Sequence, residues 1–93
     1  MEVRPIYFVN ALEETMSGKI RVMVPELMRA RGIRPMDLIY GARIAPGTAY
    51  TLSDDEKSQK MTGITFDVLA KLCAFFGVGA GEIIRFEEET GNE

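Results

Sequence analysis

The side chains that most often carry out chemistry are nearly absent. Among 93 residues there is no histidine and a single cysteine, which removes the usual activator of a nucleophile and the usual metal ligands. Cys73 lies in an apolar helical pattern with no imidazole to deprotonate it, and reads as a packing residue of a reducing compartment. Asp54-Asp55-Glu56 gathers three carboxylates but lacks the alternating spacing that surrounds calcium with oxygens, so it reads as a solvated loop. Gly77-Val78-Gly79-Ala80-Gly81 has the glycines of a phosphate loop. Yet position 82 is Glu, no strand precedes the run and no Gly-Lys-Ser or Gly-Lys-Thr follows, so a helix stop and restart is the simpler reading. No enzyme activity, metal or cofactor is expected. The middle of the chain also carries hydroxyls at Thr48, Tyr50 and Thr51 beside Pro46-Gly47, and cations at Arg34, Arg43, Lys57 and Lys60, none of them in a catalytic arrangement.

Net charge is −3, which at first opposes a polyanionic partner, but the charge is unevenly distributed. Residues 1–18 carry −2 and residues 61–93 carry −4, whereas residues 19–60 carry +3. The basic charge is concentrated where a nucleic-acid face needs it. With 46% hydrophobic and 27% charged residues the chain fits one globular domain. A domain of this size has a small core, which makes oligomerisation a reasonable expectation. The longest N-terminal apolar run, Ile6 to Val9, is too short for a signal segment or a membrane span, so a cytoplasmic location is expected.

Three prolines punctuate three helices. Val3–Val9 and Lys19–Val24 read as strands, the second alternating Ile20, Val22 and Val24 with Lys19, Arg21 and Met23. Pro25 opens a first helix, with Leu27, Met28 and Ala30 facing a core before Gly32 closes it. Pro35 opens a second over Met36–Ala42, with Leu38 and Ile39 inward. Pro46 opens a third over residues 46–52, whose Ala49 and Leu52 share a face while Gly47, Thr48, Tyr50 and Thr51 look elsewhere. A polar loop spans Ser53–Gly63. Thr65 then caps a fourth helix, Phe66–Phe76, ended by Gly77, and a fifth lies around Gly81–Ile84.

Two short helices joined by a tight turn and followed by scaffold helices match the helix-turn-helix unit. From Ile20 to about Phe86 the chain resembles the XRE-type family of lambda-repressor and Cro-like DNA-binding domains. ARIAPGTAYTL resembles the turn and recognition helix, and ITFDVLAKLCAFFGVGAGEIIRF the scaffold helix, glycine stop and last short helix. The resemblance implies a mainly α fold: a lambda-repressor-like bundle of about five short helices, with short β-strands added from the N- and C-terminal segments. It implies a DNA-binding transcriptional regulator reading the major groove of double-stranded DNA through helix 46–52. Base contacts then fall to Pro46, Gly47, Thr48, Tyr50 and Thr51, and phosphate contacts to Arg34, Arg43, Lys57 and Lys60.

The chain departs from the family pattern at three places. Arg34-Pro35 stands where Thr-Gln is usual. Arg43 replaces a turn glycine, so it either takes a positive φ or the turn follows another path. Asp54-Asp55-Glu56-Lys57 replaces Asn-Gly-Lys. These departures leave a second reading open, a protein-interaction module of adaptor or antitoxin-like type with the same fold and little DNA binding. A homodimer is expected, with Val68 and Phe75, seven apart on one side of the fourth helix, as contacts; the alternative is that Phe75 completes the core. The expected division is an extension over 1–18, a domain over 19–86 and an acidic tail over 87–93, with Met16 as an alternative start.

Overall fold

Proline and glycine set the helix limits, as the sequence predicts. Pro35 and Pro46 are each the first residue of a helix, and Pro25 follows one residue after a helix start. There the missing N–H costs no intrahelical bond. Gly32 and Gly77 close two helices in the left-handed region, at φ 66° and 70°, where a Cβ would be strained. The computed structural model describes residues 17–89, so the expected strand over Val3–Val9 and the alternative start at Met16 lie outside the described residues. In order, the elements are β1 (Ser17–Val22), α1 (Val24–Arg31), α2 (Pro35–Tyr40), α3 (Pro46–Ser53), α4 (Asp55–Gln59), α5 (Phe66–Phe76), α6 (Ala80–Ile83) and β2 (Ile84–Glu89).

The domain is therefore mainly helical with a small antiparallel sheet, and it has one helix more than the sequence suggests. The extra helix is α4, which occupies the predicted polar loop. Its cause is Asp54, whose carboxylate accepts hydrogen bonds from the N–H groups of Glu56 and Lys57 at 3.0 and 2.6 Å. An aspartate cap of this kind contributes about 1 kcal/mol. Asp55 and Glu56 then fall in the first turn, where negative charge is favoured by the helix dipole. The acidic run is thus the start of a helix.

One strand boundary shifts as well. The strand predicted over Lys19–Val24 ends at Val22, and Val24 already belongs to α1. Met23 makes the change of direction: its N–H donates to Ile83 O at 2.7 Å, ending the ladder, and its carbonyl accepts from Leu27 N at 3.0 Å, starting the helix. Ala30, predicted to face inward, is exposed, and Met28 and Leu27 supply the inward face of α1. β2 runs to Glu89 and pairs with β1 from Val22 opposite Ile84 to Ser17 opposite Glu89.

Leu38 from α2, Leu52 from α3, Leu72 from α5, Ile83 from α6 and Val24 from α1 are fully buried, so each main helix anchors one side chain in a shared core. Cys73 is half-buried against this core. The glycine run after α5 is the helix stop and restart expected of it, with Gly77 ending α5 and Gly79 capping α6. The sheet is tied to the helices by Gln59, whose side-chain amide accepts from Val22 N–H at 3.2 Å and donates to Val22 O at 2.9 Å.

Candidate nucleic-acid interface

The turn between α2 and α3 is built around one exposed residue between two buried ones. Ala42 and Ile44 are buried and both donate their N–H groups to Leu38 O, at 3.2 and 3.1 Å. To send both inward, the chain places Arg43 at φ 62°, the one non-glycine residue with positive φ among those described. Of the two paths open at the sequence level, the chain takes the left-handed one. The arginine side chain is thereby exposed, and Lys71 steadies the turn by donating to Arg43 O at 3.1 Å. The left-handed conformation costs an arginine roughly 1–2 kcal/mol. Arg43→Gly is therefore expected to raise the melting temperature of the domain. A variant that melts no higher than the parent would mean that the turn is unstrained.

α3 presents two faces. Ala49 and Leu52 are fully buried, as predicted, whereas Tyr50 is 52% exposed and Thr48 and Thr51 are half-buried. Gly47 is exposed, and a Cβ there would meet nothing within 4 Å, so the first turn faces open space. The Thr51 hydroxyl already donates to Gly47 O at 3.0 Å, which leaves it an acceptor with a methyl beside it. The Tyr50 hydroxyl lies 3.9 Å from the sulfur of Met36 on α2, a weak contact that a stronger acceptor displaces.

The four cations singled out in the sequence all lie on or beside elements that adjoin α3. Arg34 precedes α2, Arg43 sits in the turn, Lys57 is in α4 and Lys60 ends it. All four side chains are exposed, and none takes part in an ion pair among the described residues. The other basic side chains of the domain are engaged. Arg21 binds Glu26 and Glu87, and the hydrogen bond and charge of Glu26 together with the charge of Glu87 push its guanidinium above the ordinary arginine range. Arg31 donates to Phe76 O and lies over the Phe76 ring, and Lys71 pairs with Asp67 at 3.2 Å.

The acidic residues next to α3 are largely occupied as well. Asp54 caps α4, and both carboxylate oxygens of Asp55 accept from the single nitrogen Nη1 of Arg29, at 2.9 and 3.0 Å. Glu56 remains exposed without an ion pair among the described residues. The helix start of α2 departs from the family's Thr-Gln in a specific way: Asp37 accepts from the backbone N–H of Arg34 at 2.9 Å, leaving the Arg34 side chain unused.

Val68 and Phe75 are half-buried and pack against the core of their own chain. The Phe75 ring meets Phe76 edge-on at 5.2 Å and covers Gly41, where a Cβ would come within 2.8 Å of it. Sequence reasoning did not single out the more exposed apolar side chains, among them Phe66, Phe86 and Ile20 at 88%, 60% and 55%. Nor did it find Gln59 or the Arg29–Asp55 pair, which join residues 37 and 26 positions apart and leave no local pattern.

The family model of the Cro/C1-type HTH DNA-binding domain matches residues 23–89. No curated protein and no solved structure matches the chain. The match begins at the residue that turns β1 into α1, spans α2, the turn and α3, and ends with β2, and the helical order is that of a lambda-repressor-like fold. The chain belongs to the family of Cro/C1-type helix-turn-helix DNA-binding domains.

Proposed function

We propose that the protein is a cytoplasmic transcriptional regulator that binds double-stranded DNA as a homodimer, with α3 in the major groove. The observation that carries this reading is the pairing of an open α3 face with uncommitted cations at Arg34, Arg43, Lys57 and Lys60, beside acids that are mostly occupied. Phosphates suit the four cations, and Pro46-Gly47 at the start of α3 allows close backbone approach to the duplex. Base readout falls to Thr48, Tyr50 and Thr51, with Pro46 and Gly47 lining the approach.

None of these side chains has a fork of donors matched to guanine or adenine, so each contributes no more than about 1–3 kcal/mol of discrimination. Selectivity then depends on two copies engaging half-sites one helical turn apart. Selection from a random DNA library at low and moderate salt tests the proposal. An enriched motif is expected, and Thr51→Ala or Tyr50→Phe should change the preferred sequence more than the affinity for mixed DNA. A folded protein that enriches no motif at any salt, but captures a specific protein, would instead favour the adaptor or antitoxin-like alternative.

A further inference from the structure

The ladder between β1 and β2 has a defined phase. Met23 N–H bonds Ile83 O in the same register that sets Arg21 opposite Arg85 and Lys19 opposite Glu87, so these pairs exchange the inner hydrogen bonds. Gly18, Ile20 and Val22 on β1, and Ile84, Phe86 and Glu88 on β2, therefore turn their N–H and C=O groups to the outer edges. Val22 bears this out independently, because both of its backbone groups are held by Gln59 on the outer side. The sheet has two strands among the described residues, so the outer edge of β2 has no strand beside it there. An unpaired edge of this kind is a template for another strand.

We propose that β2 pairs antiparallel with β2 of a second copy, centred on Phe86, and that this edge is the dimer surface. The inference rests on the homodimer reading above and specifies its contact. In this register Phe86 faces its own equivalent and exchanges two hydrogen bonds with it. Glu88 N–H meets Ile84 O of the other copy, while Ile84 N–H stays with Ala80 O. On the opposite face Arg85 falls against Glu87 of the other copy, twice by symmetry. The strand is complementary to itself when turned end for end. β1 is not: centred on Ile20 it would set Lys19 against Arg21, and Gln59 already occupies Val22.

Side-chain surroundings agree with this choice. Among the described residues, Arg85 is held within its own chain only by Glu82, at 4.0 Å, and is half-exposed. Phe86 and Ile20 form an exposed cross-strand pair, with the Phe86 ring lying over Gly18, where a Cβ would come within 2.5 Å of it. This face continues into an apolar pocket of about 220 Å3 lined in part by Met61, Ile64 and Ile84. Joining two copies at β2 makes one four-stranded sheet with Phe86 of each copy side by side at its centre.

The test is a charge exchange read by sedimentation over a range of concentrations, with melting curves to confirm folding. Arg85→Glu places glutamate against Glu87 of the other copy, and Glu87→Arg places arginine against Arg85. Each alone should weaken dimerisation by about tenfold or more, since two attractive cross-strand pairs become repulsive. An equimolar mixture of the two variants should recover the dimer, because both pairs are then of opposite charge. Glu88→Pro removes an outward N–H from an edge position that tolerates proline, and should give a folded monomer; it decides the matter if a charge variant fails to fold. A wild-type chain that is monomeric at every concentration overturns both the homodimer and the edge contact. A wild-type dimer that persists in all three variants overturns the edge contact alone and directs attention to Val68 and Phe75. Folded single variants that dissociate but do not associate on mixing overturn the register.

Discussion

Replacing Arg34, Arg43, Lys57 and Lys60 together by alanine is expected to lower DNA affinity on the order of a thousandfold at about 0.15 M salt, with the fold retained. The size follows from counterion release: each phosphate neutralised steepens the dependence of log K on log salt by about 0.9, so four lost contacts flatten the slope by roughly 3 to 4 units. Retention of the fold follows from exposure and from the absence of ion pairs to these side chains among the described residues. Fluorescence anisotropy on a labelled duplex at several salt concentrations measures the slope. An affinity within threefold of the parent, on a protein with an unchanged helical signal, would remove these residues from the binding surface.

Leu52→Ala should act through the opposite face of the same helix. Leu52 is fully buried, and truncating a buried leucine costs about 2–5 kcal/mol. A domain this small has a total stability near the lower part of the usual range of about 5–15 kcal/mol, so the melting temperature should fall by more than about 10 °C. Tyr50→Phe, two residues away and facing out, should leave the melting temperature unchanged. If Leu52→Ala melts within about 2 °C of the parent, α3 is not anchored as its burial implies.

The contrast between these two residues marks what the sequence makes legible. Pro35 and Pro46 at helix starts, Gly32 and Gly77 at helix ends, and Thr65 as the cap of α5 can all be read because each acts on its own few residues. The inward face of α3 can be read because Ala49 and Leu52 are one turn apart. α4 was hidden because its stability comes from a cap and from Gln59, with Ser58 as its one buried side chain and no apolar stripe. The end of β1 was hidden because Val22 and Val24 are buried both as strand and as helix, so the alternation runs on through Met23. At the candidate interface the residue types and their exposure were accessible. The occupation of Asp55 by Arg29 was not, since it depends on how α1 meets α4.

Gln59 has a consequence for measurement of distance along DNA. α4 follows α3 with Asp54 alone between them, and Gln59 clips α4 to the last residue of β1. Helix α3, proposed to face the groove, and the ribbon proposed to join two copies thus meet at one corner, where the Gln59 amide adds to the Met23–Ile83 hydrogen bond and the buried Val22. In the proposed dimer the residues of α3 would choose the letters of each half-site, whereas the gap between half-sites would follow from the ribbon and from the corner that carries it. Sequence preference and spacing preference are then separate inherited traits. Changes at this corner, Gln59 among them, would then alter how far apart two half-sites stand without changing what either one says.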